Sequence, residues 1–379
     1  QCLDSPHSMD LAKMNKWSRA LLLVSFPLIE ACGGGSEISD PSTSISTPSN
    51  AASANSGNPA SVAPAAPGTA SQVTLPAPTL RFNDTGISLS DGLTRDGRWS
   101  VSGLNGLGWE YSLDLGQSWI NGVGDFFVVQ GDGPKMIWVR TRDSQGNTSE
   151  IVKVSCTLDT MAPAPIQAVS RQALGFRRLE FKGLENQANW EYRFDVNDPW
   201  VTGVGDQLWL IGNGPSTLYM RQIDAAANAS EATTLDLTQA GGADWVEFSS
   251  NPLMPTQLTQ VPSTKEGLIL HGSVQQGDAD FVRIDIPSEH LLASIRLVHY
   301  RSEDKIAFFA LQRGLVFDAG VDTTKMLAFG HFGPEKFGQN LIEGLTANQR
   351  SSGSLVLWMQ QTGSQKTDYA FEVRFEPAP

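Results

Sequence analysis

The chain repeats itself. Trp109-Glu110-Tyr111-Ser112-Leu113-Asp114 returns as Trp190-Glu191-Tyr192-Arg193-Phe194-Asp195. Trp119 returns as Trp200, Gly122-Val123-Gly124-Asp125 as Gly203-Val204-Gly205-Asp206, and Gly131-Asp132-Gly133-Pro134 as Gly212-Asn213-Gly214-Pro215. Arg140, Asp143, Asn147, Ser149 and Glu150 return as Arg221, Asp224, Asn228, Ser230 and Glu231. Every pair is 81 residues apart, with no gap between 109 and 150. Self-similarity at a fixed spacing means one small fold built twice, so a structure proposed for one copy must also serve the other.

Each copy reads as a β-sandwich of about seven short strands. Trp109, Tyr111 and Leu113 alternate with polar neighbours, and glycine-rich turns follow at intervals of about 8–12 residues. Lys135–Arg142 alternates again and closes in Asp143-Ser144-Gln145-Gly146-Asn147, a turn suited to asparagine and glycine. The predicted modules are 79–160 and 161–239. The hinge is Thr160-Met161-Ala162-Pro163-Ala164-Pro165, where prolines remove backbone donors and stop strand pairing. These runs resemble the bacterial immunoglobulin-like repeats of large secreted adhesins. The first module also carries that family's opening, Asn83-Asp84-Thr85-Gly86 through Asp91-Gly92-Leu93-Thr94. The second lacks it, since 168–178 has no acidic residue. The resemblance implies an Ig-like fold and leaves function open, because such modules serve as stalks, spacers and binders alike.

The remaining segment, 243–379, has its own pattern. Strands are predicted at Gly267–Val274, Phe281–Pro287, Ala293–Tyr300, Ile306–Leu311, Ser354–Gln361 and Asp368–Phe375. Gly353–Gly363, followed by Thr367-Asp368-Tyr369-Ala370-Phe371, resembles the C-terminal half of pre-peptidase-type β-sandwich domains; Gly277–Phe281 resembles their first turn and strand. The expected fold is therefore all-β: two tandem Ig-like β-sandwiches, then a third, jelly-roll-like sandwich, preceded by a disordered tether.

That tether begins at a thiol. Lys16 and Arg19 precede an apolar run, Ala20–Ile29, which is shorter than the roughly 20 residues a membrane helix needs. Ala31 and Cys32 follow, then three glycines. The stretch resembles the signal and lipobox of a bacterial lipoprotein, which implies acylation of Cys32. Gly33 in place of aspartate implies sorting to the outer membrane. Residues 1–31 are read as an upstream extension plus signal peptide, with Met14 the best start and Met9 another. Residues 32–78 are mostly Ser, Ala, Pro, Gly, Asn and Thr and cannot offset their ordering entropy. As a flexible chain they reach roughly 35–40 Å.

The net charge of −13 argues against nucleic acid as a partner. Cys2 precedes the expected start and Cys32 is the lipid site, so Cys156 is left without a disulfide partner and is expected as an inert buried thiol. No Gly-x-Ser-x-Gly, His-Glu-x-x-His or phosphate-cradling loop is present, and His271, His290, His299 and His331 have no zinc-ligand spacing. No catalytic residue is assigned and the chain is read as non-enzymatic. Calcium is the one cofactor considered, through Asp84, Asp91, Asp143 and Asn147, or through Asp278 and Asp280, because hard cations take several oxygen ligands. The competing reading makes these side chains caps of their own turns. Trp109, Trp119, Trp190 and Trp200 are either sandwich core or platforms for sugar rings. The expected role is envelope display: anchored in membrane by lipid, the modules present the last domain for adhesion or for an unidentified protein or glycan partner. A carbohydrate-binding lipoprotein is the alternative, and an enzyme or hydrolase accessory in the last domain a further one.

Overall fold

The structure is a computed structural model and describes residues 74–173, 176–238, 247–258, 262 and 265–379. The segments expected to be signal, lipid site (Cys32) and nearly all of the tether lie outside the described residues. The first module contains β1 (Thr79–Phe82), β2 (Leu93–Thr94), β3 (Arg98–Ser102), β4 (Gly108–Ser112), β5 (Ile120–Asn121), β6 (Phe126–Val128), β7 (Gly133–Arg142) and β8 (Val152–Leu158). β1, β3 and β6 form one sheet, and β2, β8, β7, β4 and β5 the facing one. Alternation drives the layering: in β3, Trp99 and Val101 turn inward while Arg98, Ser100 and Ser102 face water. Trp99, Trp109, Phe127, Ile137 and Val139 fill the space between the sheets.

The second module contains β9 (Gln167–Ala173), β10 (Phe176–Lys182), β11 (Asn189–Arg193), β12 (Val201–Thr202), β13 (Gln207–Gly212), β14 (Thr217–Ile223) and β15 (Thr233–Asp236). Its sheet β12-β11-β14-β15 matches β5-β4-β7-β8, and β9-β10-β13 matches β1-β3-β6. The repeated residues are the fasteners of this design. Trp109 and Trp190 are buried, and a Cβ at Gly122 or Gly203 would overlap their rings. The second glycine of each Gly-Val-Gly run gives its carbonyl to the indole N–H: Trp109 Nε1 to Gly124 at 2.9 Å, Trp190 Nε1 to Gly205 at 2.6 Å. Arg140 pairs with Glu110 and Arg221 with Glu191 across the neighbouring strands. Ser149 Oγ accepts the Thr141 amide and Ser230 Oγ the Gln222 amide, each at 3.0 Å. Fasteners of this kind must be kept in every copy, which is why these positions repeat.

The last segment contains β16 (Thr256–Leu258), β17 (Gly267–Val274), β18 (Asp280–Ile286), β19 (His290–Arg301), β20 (Ala307–Arg313), β21 (Ala328–Phe332), β22 (Gly353–Gln360) and β23 (Thr367–Pro377). Each of the six predicted strands falls on one of these; β16 and β21 were not predicted. β16-β18-β22-β20-β21 form one sheet. The facing sheet is shared with the second module: its order is β19-β23-β17-β13-β10-β9. β13 and β17 pair in parallel from Leu208↔Gly267 to Gly212↔His271. The second and third sandwiches therefore stack as three layers with a common middle sheet. Leu208, Leu210 and Ile269 turn toward β11 and β14, while Trp209, Ile211 and Leu268 turn toward the outer sheet. A strand covered on both faces has no polar side to keep, and all of β17 is buried, His271 included.

The first module meets the second through its opening loop. Ile87 N donates to Ala225 O at 3.2 Å, Thr85 Oγ1 to Ala226 O at 2.9 Å, and Arg95 Nη1 to Ala227 O at 2.5 Å. Gly86 has a positive φ of 106°, and a Cβ there would strike the Ala225 carbonyl. From the hinge side, Asn228 Nδ2 donates to Asp159 O at 2.9 Å.

Candidate functional site

The acidic residues singled out in the first module do not form one shell. Asp143 and Asn147 close the turn after Arg142, at one end of the ten-residue strand β7. Asp91 precedes Leu93, which pairs with Thr157 opposite the start of β7. The two pairs are thus about 30 Å apart along the strand. Asp143 Oδ1 accepts the Gln145 and Asn147 amides and Oδ2 accepts Asn147 Nδ2. These bonds, Asn147 first, hold its carboxyl below the usual carboxylate range. Asp84 Oδ2 accepts Gly92 N at 2.9 Å, and Asp91 Oδ1 accepts Leu93 N at 3.0 Å. Asp278 sits in the turn before β18, bonded through its backbone to Gln275, whereas Asp280 is buried and accepts the Tyr369 hydroxyl at 2.7 Å. Among the described residues, no three His, Cys, Asp or Glu side chains gather as a metal-ligand set.

The tryptophans divide by position. Trp109 and Trp190 are core. Trp119 and Trp200 are half-buried, each lying beneath an arginine: Arg140 is 3.8 Å from the Trp119 ring, and Arg221 and Arg193 are 4.2 and 4.3 Å from the Trp200 ring. The guanidinium groups lie against these rings, where a sugar ring would otherwise stack. Cys156 is a buried free thiol whose pKa is raised by burial.

His299 and His331 belong to different places. His299 is buried, with Nδ1 2.7 Å from Asp198 Oδ2, and joins the second module to β19. Nearby, Tyr192 donates to Glu372 at 3.1 Å, and Arg374 pairs with Glu372 at 2.8 Å. His331 instead lies on the outer face of the outer sheet, beside a cavity of about 510 Å³ lined by Asp304–Phe308, His331 and Gln360–Gly363.

Sheet register builds this cavity. Phe308 on β20 stands opposite His331 on one side and Gln360 on the other, so the three share one row. The His331 ring meets Phe308 edge-on at 5.9 Å, and Trp358 meets it at 5.2 Å. Two loops form the rim, and buried Gln361 ties them. Its Nε2 donates to Ile306 O and Thr367 Oγ1, and its Oε1 accepts Gly363 N, each at 3.0 Å. The Tyr300 hydroxyl donates to Asp304 O at 2.8 Å, and a Cβ at Gly363 would collide with the Asp304 carboxylate. The rim is thus fixed before any ligand arrives. The sequence reading found the strands and His331 but missed Asp304, Lys305, Phe308 and Gln360. A usable signal was there: Phe308-Phe309 and Leu357-Trp358 put large apolar groups on both faces of strands at the edge of the stack.

No protein-family model matches the chain, and no curated protein matches it. Among solved structures, the fibronectin(III)-like modules of Clostridium thermocellum CbhA are similar at 9% identity, covering 44% of this chain and 98% of theirs, with a TM-score of 0.29. Carbohydrate-binding modules of the β-sandwich superfamily align at 11% identity over 79% of this chain and 98% of theirs, with a TM-score of 0.19. Chicken CNTN1 FN1-FN3 domains align at 6% identity over 75% and 94%, with a TM-score of 0.18.

Proposed function

We propose that this is a non-catalytic display protein of the cell envelope, held by lipid on Cys32 and carrying its binding surface on the last domain. The supporting observation is the shared middle sheet. It joins the last domain to the second module as one body, and leaves the preformed cavity on the layer farthest from that module's own sheet. The Ig-like modules act as spacer, and the outer sheet acts as the binding head.

Two measurements on the full chain test the two halves of this reading. Cys32→Ala is expected to move the protein from the membrane to the soluble fraction; retention in the membrane rejects the anchor. Cells displaying the protein are expected to attach to their target surface more than cells lacking it. Lys305→Ala with Thr362→Ala should lower that attachment without changing the amount displayed. Unchanged attachment rejects the head assignment.

A further inference from the structure

We propose that the cavity between the 304–308 and 360–363 loops is a subsite for an uncharged saccharide. This rests on the display reading and names the ligand class for its head.

The cavity's chemistry narrows the choice. Its charged groups are one carboxylate, Asp304, and one ammonium, Lys305. A phosphate, sulfate or uronate site gathers several cationic donors, and a cation site gathers several carboxylates. Neither is present in this lining. The other polar groups include the Gln360 amide and the Thr362 hydroxyl, which both donate and accept. Groups that do both suit hydroxyls, which also do both. Asp304 adds an acceptor and Lys305 a donor, so neighbouring hydroxyls can be met from either side.

The apolar part has a matching shape. Phe308 and His331 form an aromatic wall and Ile306 is exposed at the rim. A sugar ring presents C–H groups on its faces and hydroxyls at its edge, which fits a wall of rings bordered by polar loops. A volume of about 510 Å³ falls within the range of small-ligand sites. Because the rim is tied by Gln361, binding need not order the loops first.

Titration calorimetry with the full chain tests this, using uncharged cello-, xylo-, manno- and malto-oligosaccharides beside their sulfated counterparts and an unstructured peptide. At least one uncharged oligosaccharide is expected to bind, with Kd at or below roughly the millimolar range. Phe308→Ala and Asp304→Ala should each weaken it at least about tenfold. Phe308 also packs on Trp358, so the surface changes Lys305→Ala and Thr362→Ala serve as variants that leave the core intact. Binding confined to the sulfated sugars or the peptide, binding insensitive to all four changes, or no binding overturns the saccharide assignment. If the panel is silent while the same variants still reduce cell attachment, the display reading stands and only the ligand class falls.

Discussion

Asp280 accepts the Tyr369 hydroxyl through Oδ2 and, among the described residues, has no hydrogen-bond partner on Oδ1. Burial, with Glu247 and Asp278 nearby, raises its pKa to about 8. His271 shifts the other way: burial, then Arg177 and His299, lowers its pKa to about 3. Asp280 keeps its proton in the folded state, so its contribution is full below the unfolded pKa of 3.8 and is lost as pH rises through about 8. His271 contributes fully above its unfolded pKa of 6.5 and loses that contribution as pH falls toward 3. The two slopes oppose each other at mildly acid pH, and above pH 6.5 only that of Asp280 remains. Urea unfolding is therefore expected to show stability falling by on the order of 2 kcal/mol between pH 6.5 and 8. Asp280→Asn should flatten that interval, and an unchanged slope in the variant would reject the assignment. Sequence reading paired Asp278 with Asp280 as turn ligands. What separates them is Gly272 and Tyr369, a cross-strand pair on adjacent strands of the middle sheet that packs over Asp280 alone. Neighbours so distant in the chain leave no local mark.

Strands were more legible than their partners. The exact repeat carried the sheet order of one module onto the next, since identical fasteners impose identical pairing. What the repeat concealed was the fate of one edge. β6 and β13 occupy equivalent places, yet β6 is a short open edge with Phe126 and Val128 exposed and Arg98 lying 4.1 Å over the Phe126 ring. β13 is longer and accepts β17. A charged cover guards the free edge, whereas the Leu-Trp-Leu-Ile run of β13 requires cover on both faces. The cavity escaped notice for the same reason: β20 and β22 were each readable, but their adjacency was not. The opening loop that carries Asp84 and Asp91 also makes the contact between the two Ig-like modules. Gly86→Val should strike the Ala225 carbonyl and loosen the two Ig-like modules. Limited proteolysis is expected to cut Thr160–Pro165 faster in the variant. Equal rates would mean that the loop does not set the junction.

The molecule has fewer independent parts than its sequence suggests. Modules at 79–160 and 161–239 and a domain at 243–379 read as three beads, yet the shared sheet runs through the second boundary. The segment 161–239 alone would expose β13 and the face that Ile269, Val298 and Ala370 cover. It is expected to aggregate, while 161–379 folds in one cooperative transition. Calorimetry of 79–379 should accordingly resolve two transitions, and three would argue against the fused body. The parallel β13–β17 seam has a mechanical consequence. A string of separate beads under tension pays out length one bead at a time, softening any load at its tip. Here the second and third beads must yield together. A ligand held at the outer sheet would thus be gripped by an end that cannot lengthen one bead at a time.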